Sequence, residues 1–358
     1  MTSDCGSGVT RVMTRRLYID WLRGVAVVLM IMWHAIDAWT LPTSRDTFAF
    51  ATIVFLAGWV APLFLFLAGA AIPLAGEARV ARGASRREAG WALQKRGWQV
   101  FLIAHLFRVQ SFLLNPNGQW STILKPDILN ILGLGLVLSA FLWSRASDLR
   151  SLARRLLVPT AFVVLVLTPW SRLWWWPTLL QPRLEAYIRP VGNQGQFTLF
   201  PTIAYLIVGT FIGAIVAASD PRDRRVHLRM TLAGMTMLAA ALLLGPAAAR
   251  WTTWLDTPSV FLLRTGAMTA LIPAAWLVAR NVSPARWNPL VVFGQTSLFV
   301  YWVHVELVYG VFSYPLKRAL PLSQSFVVYL LFTAAMMGLA TWWRRRPAGP
   351  LVPTHMRA

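Results

Sequence analysis

Charged residues are scarce in this chain: only 13% of its 358 residues are Asp, Glu, Lys or Arg, whereas a soluble globular protein carries about a quarter. Hydrophobic residues make up 57% of the sequence, and the mean hydropathy is +0.55. This composition excludes an ordinary soluble domain. It predicts an integral membrane protein embedded in a lipid bilayer, and we expect a bacterial cytoplasmic (inner) membrane.

Cysteine and lysine are nearly absent as well. The single cysteine, Cys5, excludes an intramolecular disulfide and any cluster of thiol ligands. The three lysines, Lys95, Lys125 and Lys317, all fall between apolar segments. This excludes a retinal protein, because a retinal Schiff base needs a lysine inside a span. The opening residues, "MTSD", lack the apolar stretch of a cleaved leader, so the first span is expected to stay as an anchor.

Basic residues nevertheless outnumber acidic ones and give a formal net charge of +21. They occur in short runs between apolar segments, as in the loops of membrane proteins. Nucleic-acid binding proteins instead gather such residues on one extended surface. We therefore expect no nucleic-acid partner.

Ten apolar segments are long enough, or nearly so, to cross a bilayer, which takes about 20 residues in a helix. With the N-terminus inside, 23 of the 34 Lys and Arg fall in cytoplasmic segments and 8 in outer segments. This asymmetry is typical of membrane proteins. The predicted fold class is therefore all-α, a polytopic transmembrane helix bundle of about ten spans with both termini cytoplasmic. The predicted spans are 17–39, 50–75, 97–114, 128–143, 156–169, 200–218, 230–247, 260–279, 290–310 and 325–343.

The first span carries ionisable residues, which inside a membrane usually face a protein interior or a water-filled cavity. Arg23 and His34 are eleven residues apart, which places them on one helix face about 16 Å apart along the axis. Asp20 lies one turn before Arg23, the spacing at which helix side chains meet. Asp37 likewise lies one turn after His34, so we expect it to orient His34 as a general base. An interfacial ion pair of Asp20 with Arg23 and a purely structural His34 are the alternatives.

Two further predicted spans repeat this pattern. In the third, His105 and Arg108 are three residues apart near mid-membrane. Arginine is a fork-shaped donor suited to phosphate or carboxylate, and the alternative partner of Arg108 is Asp127, which opens the fourth span. In the ninth, His304 follows Tyr301 and lies deep enough to need a partner. His304 is either part of a substrate site or purely structural.

Other classes of protein also place histidines in membranes. Histidines on three spans could ligate a metal or a b-type haem, but none shows the close spacing of a motif such as HExxH, so no metal is expected. A proton-coupled transporter or a lipid or glycan flippase is the main alternative to an enzyme. Such proteins often contain inverted repeats. No correspondence relates the first five spans to the last five, and the strongest polar cluster lies in the first three, which favours an enzyme.

This arrangement suits a reaction whose substrates enter from both sides of the membrane. The phosphates of a large anionic donor such as acyl-CoA would lie against Arg23, Arg108 and the basic inner loops. Its thioester would reach up to His34. An acceptor hydroxyl or amine would approach from outside and lose its proton to His34, a contribution of about 100- to 10,000-fold to the rate.

At this point the sequence resembles a known group of enzymes. The stretch "RLYIDWLRGVAVVLMIMWH" resembles the opening of the membrane acyltransferases that include acyltransferase family 3 and the heparan-α-glucosaminide N-acetyltransferase group. It contains their (I/L/V)D-x-(L/F)RG signature, and a histidine follows the arginine after ten intervening residues, as in acyltransferase family 3. Three further stretches resemble the N-acetyltransferase group: "APLFLFLAGAAIPLAG", "PDILNILGLGLVLSA" and "GQTSLFVYWVHVELVYG".

The resemblance implies transfer of an acyl group, expected to be acetyl, from cytosolic acyl-CoA to a hydroxyl or amine of a sugar or glycolipid at the outer face. It implies a transmembrane acyltransferase domain at 17–343, between a cytoplasmic segment at 1–16 and a basic cytoplasmic tail at 344–358. A homo-oligomer is possible. The predicted catalytic residues are His34 and Asp37, and the predicted acyl-CoA or substrate-binding residues are Asp20, Arg23, His105, Arg108, Asp127 and His304.

The chain also departs from the heparan enzyme. There the catalytic histidine lies in the loop after the first span, and the position equivalent to His34 is an asparagine. In this sequence the equivalent of that loop histidine is Arg45. The resemblance to acyltransferase family 3 therefore assigns the role of base to His34.

Overall fold

The computed structural model describes residues 16–114, 120–192, 197–220, 223–245, 257–280 and 287–346. Within these ranges the protein is all-α, as predicted, and contains no β-strand. The predicted cytoplasmic segment, apart from Arg16, lies outside the described residues, and so does Cys5. The predicted basic tail lies outside them from residue 347 onward.

Thirteen α-helices form the described bundle. Their bounds are α1 (Leu17–Trp39), α2 (Phe48–Val80), α3 (Arg86–Leu114), α4 (Ile128–Ser144), α5 (Leu149–Phe162), α6 (Thr168–Leu173), α7 (Pro182–Glu185), α8 (Leu199–Ala218), α9 (Arg224–Leu244), α10 (Pro258–Ala279), α11 (Pro289–Gln295), α12 (Ser297–Tyr309) and α13 (Leu322–Arg345). A π-helical turn at Val163–Leu167 joins α5 to α6 in one helical stretch.

The described helices support an integral membrane protein but not the full count of spans. Seven stretches are long and apolar enough to cross a membrane: α1, α2, α5 with α6, α8, α9, α10 and α13. α11 and α12 qualify only as a pair bent by 88°. α4 has 17 residues, or about 26 Å, and α3 begins with a charged stretch. The predicted count of ten and the predicted side of each terminus are therefore not confirmed.

The charged start of α3 is fixed by a local capping box. The backbone N–H of Glu88 donates to Oγ of Ser85 at 3.2 Å, and the backbone N–H of Ser85 donates to Oε2 of Glu88 at 2.8 Å. The backbone N–H and the hydroxyl of Ser85 together lower the pKa of the Glu88 carboxyl, so the cap stays ionised near neutral pH. Helix formation therefore begins at Arg86, well before the predicted span at 97–114.

α1 lies at the centre of the bundle, where it packs against α2, α10, α11, α12 and α13. Its contact with α11 is very close, because glycines let the two backbones approach. A Cβ atom added at Gly24 would lie 1.9 Å from the carbonyl oxygen of Leu290, and one at Gly294 would lie 1.9 Å from that of Asp20. After the bend at Thr296, α12 continues along the polar face of α1. This packing brings the ninth predicted span to the first.

Candidate active site

His34 and His304 form a hydrogen-bonded pair where α1 meets α12. Nδ1 of His34 lies 2.8 Å from Nε2 of His304, and the two rings stack with their centroids 5.0 Å apart. His304 is fully buried, and its Nδ1 lies 2.7 Å from the carbonyl oxygen of Val300, one turn earlier in α12. The partner that a deeply placed His304 needs is therefore His34.

Asp37 does not make the predicted contact with His34. Its Oδ1 lies 3.4 Å from Nη1 of Arg45, and its backbone oxygen accepts a 2.6 Å hydrogen bond from Nη2 of Arg45. Its Oδ2 accepts a 3.3 Å hydrogen bond from the hydroxyl of Tyr309, whose ring lies edge-on to that of His34. The direct contact between Asp37 and His34 is therefore not made, and a catalytic role for Asp37 stays a prediction. Arg45, in the loop after α1, contacts the carboxylate, and within the described ranges Tyr309 connects Asp37 to His34.

Arg108 pairs with Asp127, the alternative that the sequence left open. Nη2 of Arg108 lies 3.2 Å from Oδ2 of Asp127, and the hydroxyl of Tyr301 donates a 3.0 Å hydrogen bond to Oδ1 of the same carboxylate. Asp127 also caps α4, where the backbone N–H of Ile128 donates to its Oδ1 at 2.6 Å. The ring of Tyr301 lies edge-on to that of His304. The ion pair is therefore connected to the histidine pair through Tyr301.

His105 belongs to the same region but approaches it from α3. Its Nδ1 lies 3.2 Å from Nδ2 of Asn130 and 3.1 Å from the carbonyl oxygen of Phe101. Asn130 is buried, and its Oδ1 accepts a 2.9 Å hydrogen bond from the backbone N–H of Asp127. His105 is thus linked to Asp127 through the cap of α4.

Three basic residues from different elements lie in or close to the connection that precedes α4: Arg108 of α3, Lys125 of the connection itself and Arg183 of α7. Burial and the nearby charges of Arg108 and Arg183 lower the pKa of Lys125, while Asp127 partly opposes this shift. Burial raises the pKa of Tyr187 to about 12, so its hydroxyl stays protonated at neutral pH. The surroundings of Asp127 therefore hold more positive than negative charge.

Asp20 and Arg23 lie near the start of α1, away from the histidine pair. Oδ2 of Asp20 accepts a 3.4 Å hydrogen bond from Nε2 of Gln295, whose Oε1 accepts one of 3.3 Å from Nη1 of Arg344. Nη2 of Arg23 points at the carbonyl oxygen of Leu67 in α2, at 3.5 Å. Helix geometry puts Arg23 about 16 Å from His34 along the axis of α1. The two predicted groups of site residues therefore occupy different levels of the bundle.

One connected group, which we call the central polar cluster, contains half of the predicted site residues together with a tyrosine. Its members are His34, Arg108, Asp127, Tyr301 and His304. Within the described ranges, no three His, Cys, Asp or Glu side chains are grouped as a metal site. That the protein needs no metal stays a prediction.

Three residues that contact predicted site residues were not predicted to do so: Asn130, Arg45 and Tyr309. Asn130 carried a usable signal, because an Asn three residues after Asp127 completes a capping box. No pattern in the sequence predicted that Arg45 or Tyr309 would contact Asp37. Their contacts with Asp37 depend on how the loop after α1 and the end of α12 fold together.

Loss of the Asp127 charge is expected to destabilise the protein more than loss of Arg108. The side chains of Arg108 and Asp127 are only 23% and 12% exposed. Asp127→Asn can keep the α4 cap but leaves the arginine without its counter-charge, which we expect to cost about 3 kcal/mol. Arg108→Met leaves the carboxylate with its hydrogen bonds from Tyr301 and Ile128. Thermal unfolding of the purified variants measures the difference.

The double variant Arg108→Met/Asp127→Asn is the control for this ion pair. It is expected to be more stable than Asp127→Asn alone, because no unpaired charge remains. Simple addition of the two single losses would show that the pair contributes nothing to stability.

A comparison with known protein families matches the part of the chain that contains most of the central polar cluster. A family model described as heparan-alpha-glucosaminide N-acetyltransferase, catalytic, matches residues 15–246. That range contains α1 to α9 and with them His34, Arg108 and Asp127, whereas His304 lies beyond it. No curated protein matches the chain closely enough to count as a relative. Because the family match covers more than half of the sequence, this protein belongs to the heparan-alpha-glucosaminide N-acetyltransferase catalytic family.

Proposed function

We propose that this membrane protein transfers an acetyl group from cytosolic acetyl-CoA to an amine or hydroxyl of a sugar or glycolipid at the outer face, with His34 as the general base. Its family implies acetyltransferase activity in general. The observation that carries the finer proposal is the hydrogen-bonded pair of His34 and His304 inside the bundle. An imidazole on the family-matched helix, held by a second buried imidazole, is a group suited to accept a proton.

The reaction balances around one imidazole. As the acceptor nitrogen or oxygen attacks the thioester carbonyl, its proton moves to a ring nitrogen of His34. The new bond to the acetyl carbon forms, the carbon–sulfur bond breaks, and the CoA thiolate leaves. His34 then returns the proton to the thiolate, which gives acetylated acceptor and free CoA-SH. The imidazole ends the cycle neutral, as it began.

The polar residues near the two ends of α1 support different binding positions for the two ends of the acetyl-CoA donor. Arg23 and Asp20 lie near the end of α1 that is predicted to face the cytoplasm, and Arg23 is a suitable contact for a phosphate or for the pantetheine amides of the donor. His34 lies on the same helix face nearer the outer end. We place the thioester at His34 and the nucleotide part of CoA toward Arg23. Arg108 is engaged by Asp127, so we assign it a supporting role in the central polar cluster.

The proposed activity is tested with purified protein and acetyl-CoA labelled in the acetyl group. Parallel reactions contain a panel of amino sugars, neutral sugars and extracted glycolipids. Label on an acceptor supports the proposal, and release of that label by mild alkali distinguishes an O-acetyl ester from an N-acetyl amide, which is stable. Binding of acetyl-CoA without turnover on any acceptor would contradict it and favour the transporter alternative.

The direction of transfer needs a sealed membrane. In proteoliposomes that enclose an accepted sugar, labelled acetyl-CoA is added only outside, and protein orientation is determined by protease protection of the termini. Acetylated sugar is expected inside those vesicles whose protein exposes its termini to the added acetyl-CoA. If no product forms inside, but product does form when the sugar and acetyl-CoA are supplied together outside, transfer across the membrane is rejected while acetyltransferase activity stands.

A further inference from the structure

We propose that His304 is a positioning residue that holds His34 in the tautomer with the proton on Nδ1, so that the lone pair of Nε2 faces the acceptor. This inference rests on the proposed function and deepens it. It comes from the direction of two consecutive hydrogen bonds. His304 lies outside the family-matched range, so the C-terminal part of the chain supplies the residue that sets the base.

The first bond fixes His304. Its Nδ1 lies 2.7 Å from the carbonyl oxygen of Val300, one turn earlier in the same helix. A carbonyl oxygen can only accept a hydrogen bond, so Nδ1 of His304 must carry a proton. In a neutral imidazole the other nitrogen, Nε2, is then an acceptor.

The second bond transmits this assignment to His34. Nδ1 of His34 lies 2.8 Å from Nε2 of His304. Since Nε2 of His304 accepts, Nδ1 of His34 must donate and carries the proton. Nε2 of His34 is consequently the unprotonated nitrogen, the one that can take a proton from an acceptor.

If both ring nitrogens of His304 carried protons, its Nε2 would donate to Nδ1 of His34 and the tautomer of His34 would be the opposite one. The surroundings of His304 oppose that charged state. His304 is fully buried. The two carboxylates connected to the histidine pair are held by other groups: Asp37 contacts Arg45 and Tyr309, and Asp127 contacts Arg108 and Tyr301. A positive charge on His304 would therefore be buried without a direct counter-ion, which is costly.

Two amide variants of His304 distinguish a role in orienting His34 from a role in filling space between the helices. In His304→Gln, the amide oxygen reaches roughly where Nε2 of histidine lies and can accept from Nδ1 of His34. In His304→Asn, the shorter amide reaches roughly where Nδ1 lies, so it can bond Val300 but not His34. His304→Leu fills the space without any acceptor. We expect kcat within about 10-fold of wild type for the Gln variant and a loss of about 100- to 10,000-fold for the Asn and Leu variants.

Three measurements accompany the rates. Thermal unfolding and size-exclusion profiles show that each variant is folded, and the KM for acetyl-CoA is expected to change little, because His304 acts on the base and not on donor binding. Equal kcat values for the Gln, Asn and Leu variants, whether all high or all low, would overturn the proposal.

A direct reading of the tautomer does not depend on activity. In protein with 15N-labelled histidine, the ring nitrogens of His34, assigned by comparison with His34→Asn, are expected to show a protonated Nδ1 and an unprotonated Nε2. The opposite pattern would overturn the positioning role even if acetyl transfer is found. The expected pattern in a protein without transferase activity would reject the proposed function and leave the hydrogen-bond assignment standing.

Discussion

Replacement of His34 by asparagine is expected to lower kcat for acetyl transfer by about 100- to 10,000-fold while the protein stays folded. The amide nitrogen of asparagine can still donate to Nε2 of His304, as we infer for Nδ1 of His34, which lies 2.8 Å from that nitrogen, but no nitrogen remains to accept a proton. The variant therefore removes the base and keeps the hydrogen bond. Rates with labelled acetyl-CoA measure the loss, and thermal unfolding checks the fold.

His34→Ala and His227→Ala complete this comparison. The alanine at position 34 is expected to lower kcat to the same extent, but it leaves Nε2 of His304 unpaired, and we expect an additional destabilisation of about 1–3 kcal/mol. His227 is buried, as His304 is, but it stacks on Trp276 and touches Tyr18, apart from the central polar cluster. Its replacement should affect stability and leave kcat near wild type. Full activity in His34→Asn would reject His34 as the base.

A single methyl group at Gly294 is expected to disrupt both stability and activity. A Cβ atom there would lie 1.9 Å from the backbone oxygen of Asp20, and backbone cannot move aside as a flexible side chain does. Gly294→Ala must therefore push α11 away from α1, an overpacking that typically costs about 1–3 kcal/mol. Because α12 follows α11 directly, the distance between His34 and His304 should lengthen. We expect a lower melting temperature and a kcat reduced by more than about 10-fold, the effect of a small misplacement of catalytic groups.

Gly338→Ala is the matched control on α13. A Cβ atom added there meets no atom within 4 Å, and alanine is favoured over glycine inside a helix by about 0.5–1 kcal/mol. This variant should be as stable as wild type or slightly more so, with unchanged kcat. A Gly294→Ala protein that behaves like Gly338→Ala would show that the close contact of α1 with α11 does not set the site.

The hydropathy pattern predicted helix bounds best where a helix consists of one continuous apolar segment. The predicted first span at 17–39 has the bounds of α1, and the predicted sixth at 200–218 nearly those of α8. The third span was predicted too short, because hydropathy sees only the apolar part of α3. The ninth was predicted as one helix, but its residues 290–310 include an 88° bend. Composition alone does not locate such a bend.

Within the site, the sequence spacing placed His34 and Asp37 within reach of each other on α1, but it did not predict the partners that they contact. The i,i+3 spacing of His34 and Asp37 made a contact possible. A loop residue, Arg45, and a residue from the end of α12, Tyr309, instead hold the Asp37 carboxylate. Neighbours on one helix compete with groups from elsewhere in the fold, and the outcome depends on distances that only packing defines.

By itself the sequence determined that this is a helical membrane protein, and that its first helix carries an arginine and a histidine on one face, because hydropathy and the 3.6-residue period are properties of local segments. The tertiary structure decided which residue forms a hydrogen bond with His34. His304 is 270 residues away in the chain and 2.8 Å away in space. Two glycines, a helix bend and the packing of α12 along α1 bring them together. Close approach of distant backbones depends on how whole helices fit, which no local pattern encodes.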